Sequence, residues 1–279
     1  MTKETEAEEK LRALLAGNSA ALAALDELVK DREAERYEGQ LWPHVREYNR
    51  DIAAILGHAC AVPTHFLHTS WSLGTPTGDL HNRYLDKVFV SVEEGLIEDL
   101  LARGIDGSIV EFGVFKGFML GKLLDKVESL GARRRFYGFD SFEGLSRPST
   151  EHDYEGWQEG QFKTTFEIAA ANLRLSERPH LSLIKGWLND SLKGPEAQAI
   201  RPVAYARIDV DIYEPARDCL AFLSDRLADG AILVFDDWPY ASQKGESKAF
   251  IDWVKTVPHL RFEWIGQCSA RIYFRVHHR

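Results

Sequence analysis

Two short stretches of this 279-residue sequence place four carboxylates where they could do chemistry: Asp209 and Asp211 in RIDVDIY, and Asp236 with Asp237 in ILVFDDW. Each stretch opens on an apolar run of β-strand composition and reaches its aspartates at the end. If the two strands are neighbours, four like charges meet at close range and repel unless a cation or a base compensates. Hard oxygen donors of this kind suit Mg²⁺ or a similar divalent ion, which keeps waters and accepts substrate oxygens. Turn or helix capping explains one or two of these aspartates, but not all four.

A second set suits a nucleoside ligand. Asp140 ends the apolar run in YGFDSFEGL, where a carboxylate can accept hydrogen bonds from ribose hydroxyls; Asp followed by Ser141 also makes a good turn cap. VEFGVFKG lacks the G-x-G-x-x-G spacing of dinucleotide sites, yet Gly113 and Gly117 permit close approach of a ligand to the backbone, as they would permit a tight turn. Glu111 lies inside an apolar strand, and a buried carboxylate needs partners. It either meets an ammonium group of the cofactor or organises the turn. The polar stretch LSRPSTEHDYEGWQEGQF reads as a long loop suited to a lid, with His152 as an alternative base and Trp157 or Tyr154 as stacking residues for a sugar or aromatic acceptor. A lone loop histidine more commonly faces solvent.

The elements that must position these residues alternate regularly. Strand candidates are SIVEFG, RFYGFD, LSLIKG, VAYARIDVD, AILVFDD, RFEWIG and ARIYFRV. Between the first two, Leu120, Leu123, Leu124, Val127 and Leu130 form one apolar stripe at helical spacing, closed by Gly131. Between the fourth and fifth, EPARDCLAFLSDRLADG predicts a helix with Leu220, Leu223 and Leu227 on one face and Gly230 at its end. Repeated βα units predict a doubly wound α/β fold: a mostly parallel seven-stranded sheet with helices on both faces and a C-terminal hairpin making one edge antiparallel. Ligands of such sheets bind at the carboxyl ends of the strands, where the residues above fall. A helix over 87–103 opens this domain, expected to span 87–279. Residues 1–86 read as a mainly helical N-terminal extension, with a helical pattern from Glu6 to Asp31, serving as substrate cover or oligomer contact.

Composition narrows the setting. With 44% hydrophobic and 28% charged residues the chain is that of a globular protein, and no apolar run approaches the roughly 18–20 residues of a membrane span. A formal charge of −9 without a long basic run disfavours nucleic acid as partner. Cys60, Cys219 and Cys268 are too scattered for a disulfide framework, and the acidic N-terminus is unlike a secretory signal. The expectation is a cytoplasmic protein free of membranes.

From about residue 85 onward the chain resembles the macrocin O-methyltransferase (TylF) family, which methylates sugar hydroxyls in antibiotic biosynthesis. VEFGVFKG, FDSFEGL, KGWLNDSL, RIDVDIYEPARDCL, ILVFDDW and GESKAFIDW carry the resemblance, in order and at suitable intervals. It implies a class I methyltransferase fold of Rossmann-like type, S-adenosylmethionine as methyl donor, Mg²⁺ orienting substrate oxygens, and a homodimer or larger homo-oligomer. By position, Glu111, Gly113 and Gly117 match the donor-binding turn, Asp140 and Ser141 the ribose end, and Gly186 with Trp187 a segment near the adenine. Asp209, Asp236 and Asp237 match metal ligands, and Asp211 the position of a general base. HTSWSLGTPTGDLHNRYLDK departs from the family pattern, which leaves the acceptor pocket open. The acceptor implied is a sugar or glycoside hydroxyl. A catechol-type O-methyltransferase shares the same donor and metal chemistry, whereas a non-catalytic scaffold has no use for four repelling aspartates.

Overall fold

The computed structural model describes residues 10–25, 66–67, 76–238, 244–268 and 270–279. Its strands are β1 (Phe66–Leu67), β2 (Ser108–Phe112), β3 (Phe136–Asp140), β4 (Leu181–Lys185), β5 (Val203–Ile208), β6 (Leu227–Phe235), β7 (Leu260–Cys268) and β8 (Arg271–His278). They form one sheet in the order β1-β7-β8-β6-β5-β2-β3-β4, antiparallel only where β8 pairs with β6 and β7. All seven expected strands are present, and the two-residue β1 adds an eighth, parallel to β7 at the edge.

The helices are α1 (Pro76–Ala102), α2 (Phe118–Ser129), α3 (Phe166–Asn172), α4 (Leu188–Ser191), α5 (Pro195–Gln198), α6 (Tyr213–Leu223) and α7 (Gly245–Val254), with a 3₁₀ turn at Leu175–Glu177. Strands of a parallel sheet are buried on both faces, and here β5 is buried at every position. Its two faces serve separate cores. Val110, Phe112, Ala206, Ile208, Leu233 and Phe235 face α4 to α7, while Ile109, Ile232 and Val234 face α1 and α2. The apolar stripe of α2 is buried as expected at Leu120, Leu123, Leu124 and Val127, but Leu130 lies past the helix and is 47% exposed.

Two expected helix boundaries are corrected. The helix expected over 87–103 begins at Pro76, so one continuous helix passes through the expected domain limit between residues 86 and 87. The helix expected to reach Gly230 stops at Leu223. Leu227, four residues on, keeps helical spacing by coincidence and instead opens β6 opposite Val203. Between Leu227 and Ile232, β6 advances five residues while β5 advances two, and Gly230 takes φ +85 in that bulge. In the N-terminal region, residues 10–14 and 19–25 are helical, with a break whose second helix is capped by Asn18 on the Ala21 N–H. Most of residues 41–86, within the expected N-terminal extension, lie outside the described residues. No helix among them is long and apolar enough to cross a membrane.

Candidate active site

Register aligns the strand ends. Phe139, Phe112, Ile208 and Phe235 are successive partners across β3, β2, β5 and β6. The ladder continues one residue further: Gly113 donates to the Phe139 carbonyl at 2.8 Å, Asp209 to Phe112 at 2.9 Å and Asp236 to Ile208 at 2.9 Å. Residues far apart in sequence thus stand in one row at the mouth of a cavity of about 770 Å³, lined among others by Gly113, Asp140, Trp187, Asp209, Asp211 and Asp237.

At one end lies the glycine turn. An added Cβ at Gly113 would fall on the Asp209 carbonyl oxygen, and φ is +86, so only glycine fits. Asp140 joins this turn to the next: Oδ2 accepts from Phe115 N–H at 2.7 Å and Oδ1 from Phe142 N–H at 2.6 Å. Burial raises its pKa, against those backbone donors. The carboxylate keeps lone-pair capacity for a ligand hydroxyl. Ser141 lines the cavity while tying its own turn through Gly144 O and Glu143 N. Gly186 bonds to Asp140 O at 2.9 Å, and Trp187 presents a 42% exposed indole to the cavity. Gly117 stands behind the wall, where a Cβ would meet Leu173, and its place is helix packing.

Glu111 also lies behind the cavity wall, 2% exposed, with Oε1 2.9 Å from the Arg207 guanidinium. Its carboxylate meets a side chain of the neighbouring strand. Strand periodicity explains the meeting: Glu111 and Arg207 are register partners in adjacent strands, on the face that packs against α1. Arg207 is 1% exposed and contacts Glu93 of α1, Glu111, Asp209 and Asp236. Burial opposes its charge, but Asp236, Asp209, Glu93 and Glu111 more than offset that and hold its pKa well above the usual value. Arg271 of β8 adds a second guanidinium on Asp236 and rests over the Phe89 ring at 3.7 Å. Tyr205 hydroxyl donates to Glu93 at 2.6 Å.

At the other end Asp209, Asp211 and Asp237 each bring one carboxylate oxygen to a common point, within 4.8 Å of one another. Asp236, expected as a third ligand, is instead turned to Arg207 and Arg271, and Asp211 completes the cluster. Burial, the Asp236 charge and, in opposition, Arg207 set Asp209 at about 6. Burial, then Asp209 and Glu246, push Asp211 up to about 8, and burial with Asp211 lifts Asp237 well above the carboxylate range. Asp211 and Asp237 share a hydrogen bond. Seven carboxyl groups (Glu93, Glu111, Asp209, Asp211, Asp236, Asp237, Glu246) gather around two guanidinium groups here, an imbalance that a divalent cation would reduce.

The 143–165 loop walls the cavity with Leu145, Trp157, Gln161 and Phe162. Phe162 packs edge-on against Phe115 and Trp157, at 6.2 and 6.0 Å between ring centroids. His152, the alternative base, does not line the cavity: its ring lies 4.5 Å from that of Tyr213, and its carbonyl accepts from Gly245 N–H at 2.8 Å. Tyr154 is likewise outside the lining, whereas Trp157 is within it. Asp153 receives Tyr213 N–H at the start of α6 and Ser149 N–H, both at 2.7 Å. Sequence reasoning passed over Arg207, Arg271, Glu93, Asp153 and Glu246. An arginine within VAYARI, opposite a strand glutamate, was the available signal.

An open sheet of this order, parallel except where β8 pairs with β6 and β7, and with the cavity at the carboxyl ends of its strands, defines a class I methyltransferase fold. The O-methyltransferase NovP superposes with a TM-score of 0.56 over 91% of this chain and 100% of its own, at 18% identity. CalS11, a calicheamicin methyltransferase, gives 0.55 over 82% and 91%, at 21% identity. The model of the macrocin-O-methyltransferase (TylF) family matches residues 87–257, and the chain belongs to that family. It is also 28% identical over 160 residues to 8-demethyl-8-(2,3-dimethoxy-alpha-L-rhamnosyl)-tetracenomycin-C 4'-O-methyltransferase of Streptomyces olivaceus, a match spanning 51% of this chain and 57% of that protein.

Proposed function

We propose that the protein transfers a methyl group from S-adenosylmethionine to a hydroxyl on the sugar of a glycosylated small molecule, with a divalent cation such as Mg²⁺ held by Asp209, Asp211 and Asp237. The observation that carries this reading is a single cavity lined both by Gly113 and Asp140 and by the three carboxylates. Family membership and the rhamnoside-methylating relative support the sugar acceptor.

S-adenosylmethionine supplies an electrophilic methyl carbon. A divalent cation supplies Lewis acidity that makes a nearby hydroxyl a better acid. The chain supplies the rest. Asp140 holds the ribose diol, and Gly113 lets the donor lie against the backbone. Asp211, through the oxygen it does not bring to the cluster, takes the acceptor proton. Arg207 and Arg271 hold Asp236 and offset part of the cluster's charge, while the 143–165 loop excludes water from the reacting groups.

The test is S-adenosylhomocysteine release from a panel of glycosides and ortho-dihydroxy aromatics, with and without EDTA. Glycoside turnover that stops in EDTA and returns with Mg²⁺ is expected. Full activity in EDTA would remove the cation, and turnover of the aromatics alone would replace the sugar by a catechol.

A further inference from the structure

Glu246 sits in the first turn of α7 and is fully buried. An acidic residue there ordinarily serves its own helix, whose N–H groups and dipole favour negative charge. This one reaches outward. Oε1 accepts from Val210 N–H at 2.8 Å and Asp211 N–H at 3.2 Å, and Oε2 accepts from Asp237 N–H at 3.2 Å. One carboxylate therefore joins the backbones of the two loops that carry the acidic cluster.

The loop it holds is strained. Asp211 has φ +63, and Ile212 N–H bonds back to the Val210 carbonyl at 2.6 Å, a three-residue turn. A non-glycine residue held this way persists only where its surroundings fix it. α7 meets the turn closely: a Cβ on Gly245 would lie 2.6 Å from the Asp211 carbonyl oxygen. Gly245 N–H and the Lys244 ammonium hold the carbonyls of His152 and Glu151 on the far side.

We propose that Glu246 is a positioning residue: it holds the Asp211 turn and the Asp237 backbone in the one arrangement that brings Asp209, Asp211 and Asp237 together for a cation. The inference rests on the cation reading above. Glutamine keeps the volume but offers one acceptor oxygen, so in either orientation its amide N–H groups face a backbone N–H.

The experiment measures Mn²⁺ affinity by calorimetry for the full chain, Glu246→Gln and Glu246→Ala, with S-adenosylhomocysteine affinity and the melting midpoint in EDTA as controls. Mn²⁺ binding at least tenfold weaker, with S-adenosylhomocysteine affinity within twofold of wild type, is expected. Mn²⁺ affinity unchanged in either folded variant overturns the proposal. Loss of S-adenosylhomocysteine binding in both variants also overturns it, since Glu246 would then serve the fold at large. A crystal structure of Glu246→Gln separates the two readings. If wild type binds no Mn²⁺ the cation reading fails, while an Asp211 turn displaced in the variant still supports the positioning role and an undisplaced one refutes it.

Discussion

Asp209 takes part in two systems at once. One oxygen answers Arg207, and the carboxylate also joins the point shared with Asp211 and Asp237. Asp209→Asn is expected to lower methyl transfer by about 10³-fold while leaving S-adenosylhomocysteine affinity within twofold, because Asp140 and the glycine turn bind separately. Calorimetry with turnover assays checks this, and lost S-adenosylhomocysteine binding in a folded variant would show the two ends to be one site. Behind the wall, burial pushes Glu111 from 4.5 up to about 8, with Arg207 opposing and Asp209 and Glu93 adding to the rise. Between those values the folded chain holds a proton that the unfolded chain has released. Stability therefore falls as pH rises through that window, by at most about 1.4 kcal/mol per pH unit. Glu111→Gln should flatten the slope in denaturant titrations across this range; an identical slope would assign it to other groups.

At the scale of elements, the loop after β3 and the helix after β5 are joined by Asp153, which is buried and accepts from the first N–H of α6. Asp153→Ala should cost about 1 kcal/mol, in the range of a lost helix cap, and speed amide exchange at Tyr213. Unchanged protection there would mean that the loop is held elsewhere. Gly113→Ala sets a Cβ onto the Asp209 carbonyl at φ +86, so a loss of more than about 3 kcal/mol, or no folded protein, is expected in denaturant unfolding. These elements differ in how plainly the sequence shows them. The α2 stripe is legible because its leucines recur at helical spacing and nothing competes. Leu227 misleads because an apolar residue four positions after Leu223 fits a helix as well as a strand, and only pairing with Val203 decides. Pro76 as the start of α1 is hidden in a segment rich in Gly, Pro and Thr, which reads as a breaker.

For the molecule as a whole, the sheet brings an excess of buried carboxyl groups over guanidinium groups to one end of the strands. A cation that binds the folded chain alone should stabilise it by mass action, by roughly 2.7 kcal/mol at a hundredfold excess over its dissociation constant. Calorimetric scans with and without Mn²⁺ check this, and the gain should vanish in Asp237→Asn. A midpoint indifferent to Mn²⁺ in wild type would count against the cation.

By itself the sequence determined the alternation of strand and helix, and with it the α/β class and the strand ends where Gly113, Asp140, Asp209 and Asp236 stand. Local periodicity and turn chemistry fix those features, so they survive without knowledge of neighbours. Which carboxylates meet was decided only by the tertiary structure. Parallel register set Glu111 opposite Arg207, two guanidinium groups drew Asp236 aside, and a turn at positive φ brought Asp211 to Asp209 and Asp237. Most of those contacts join residues carried on different strands and loops, and spacing along one strand carries no record of them.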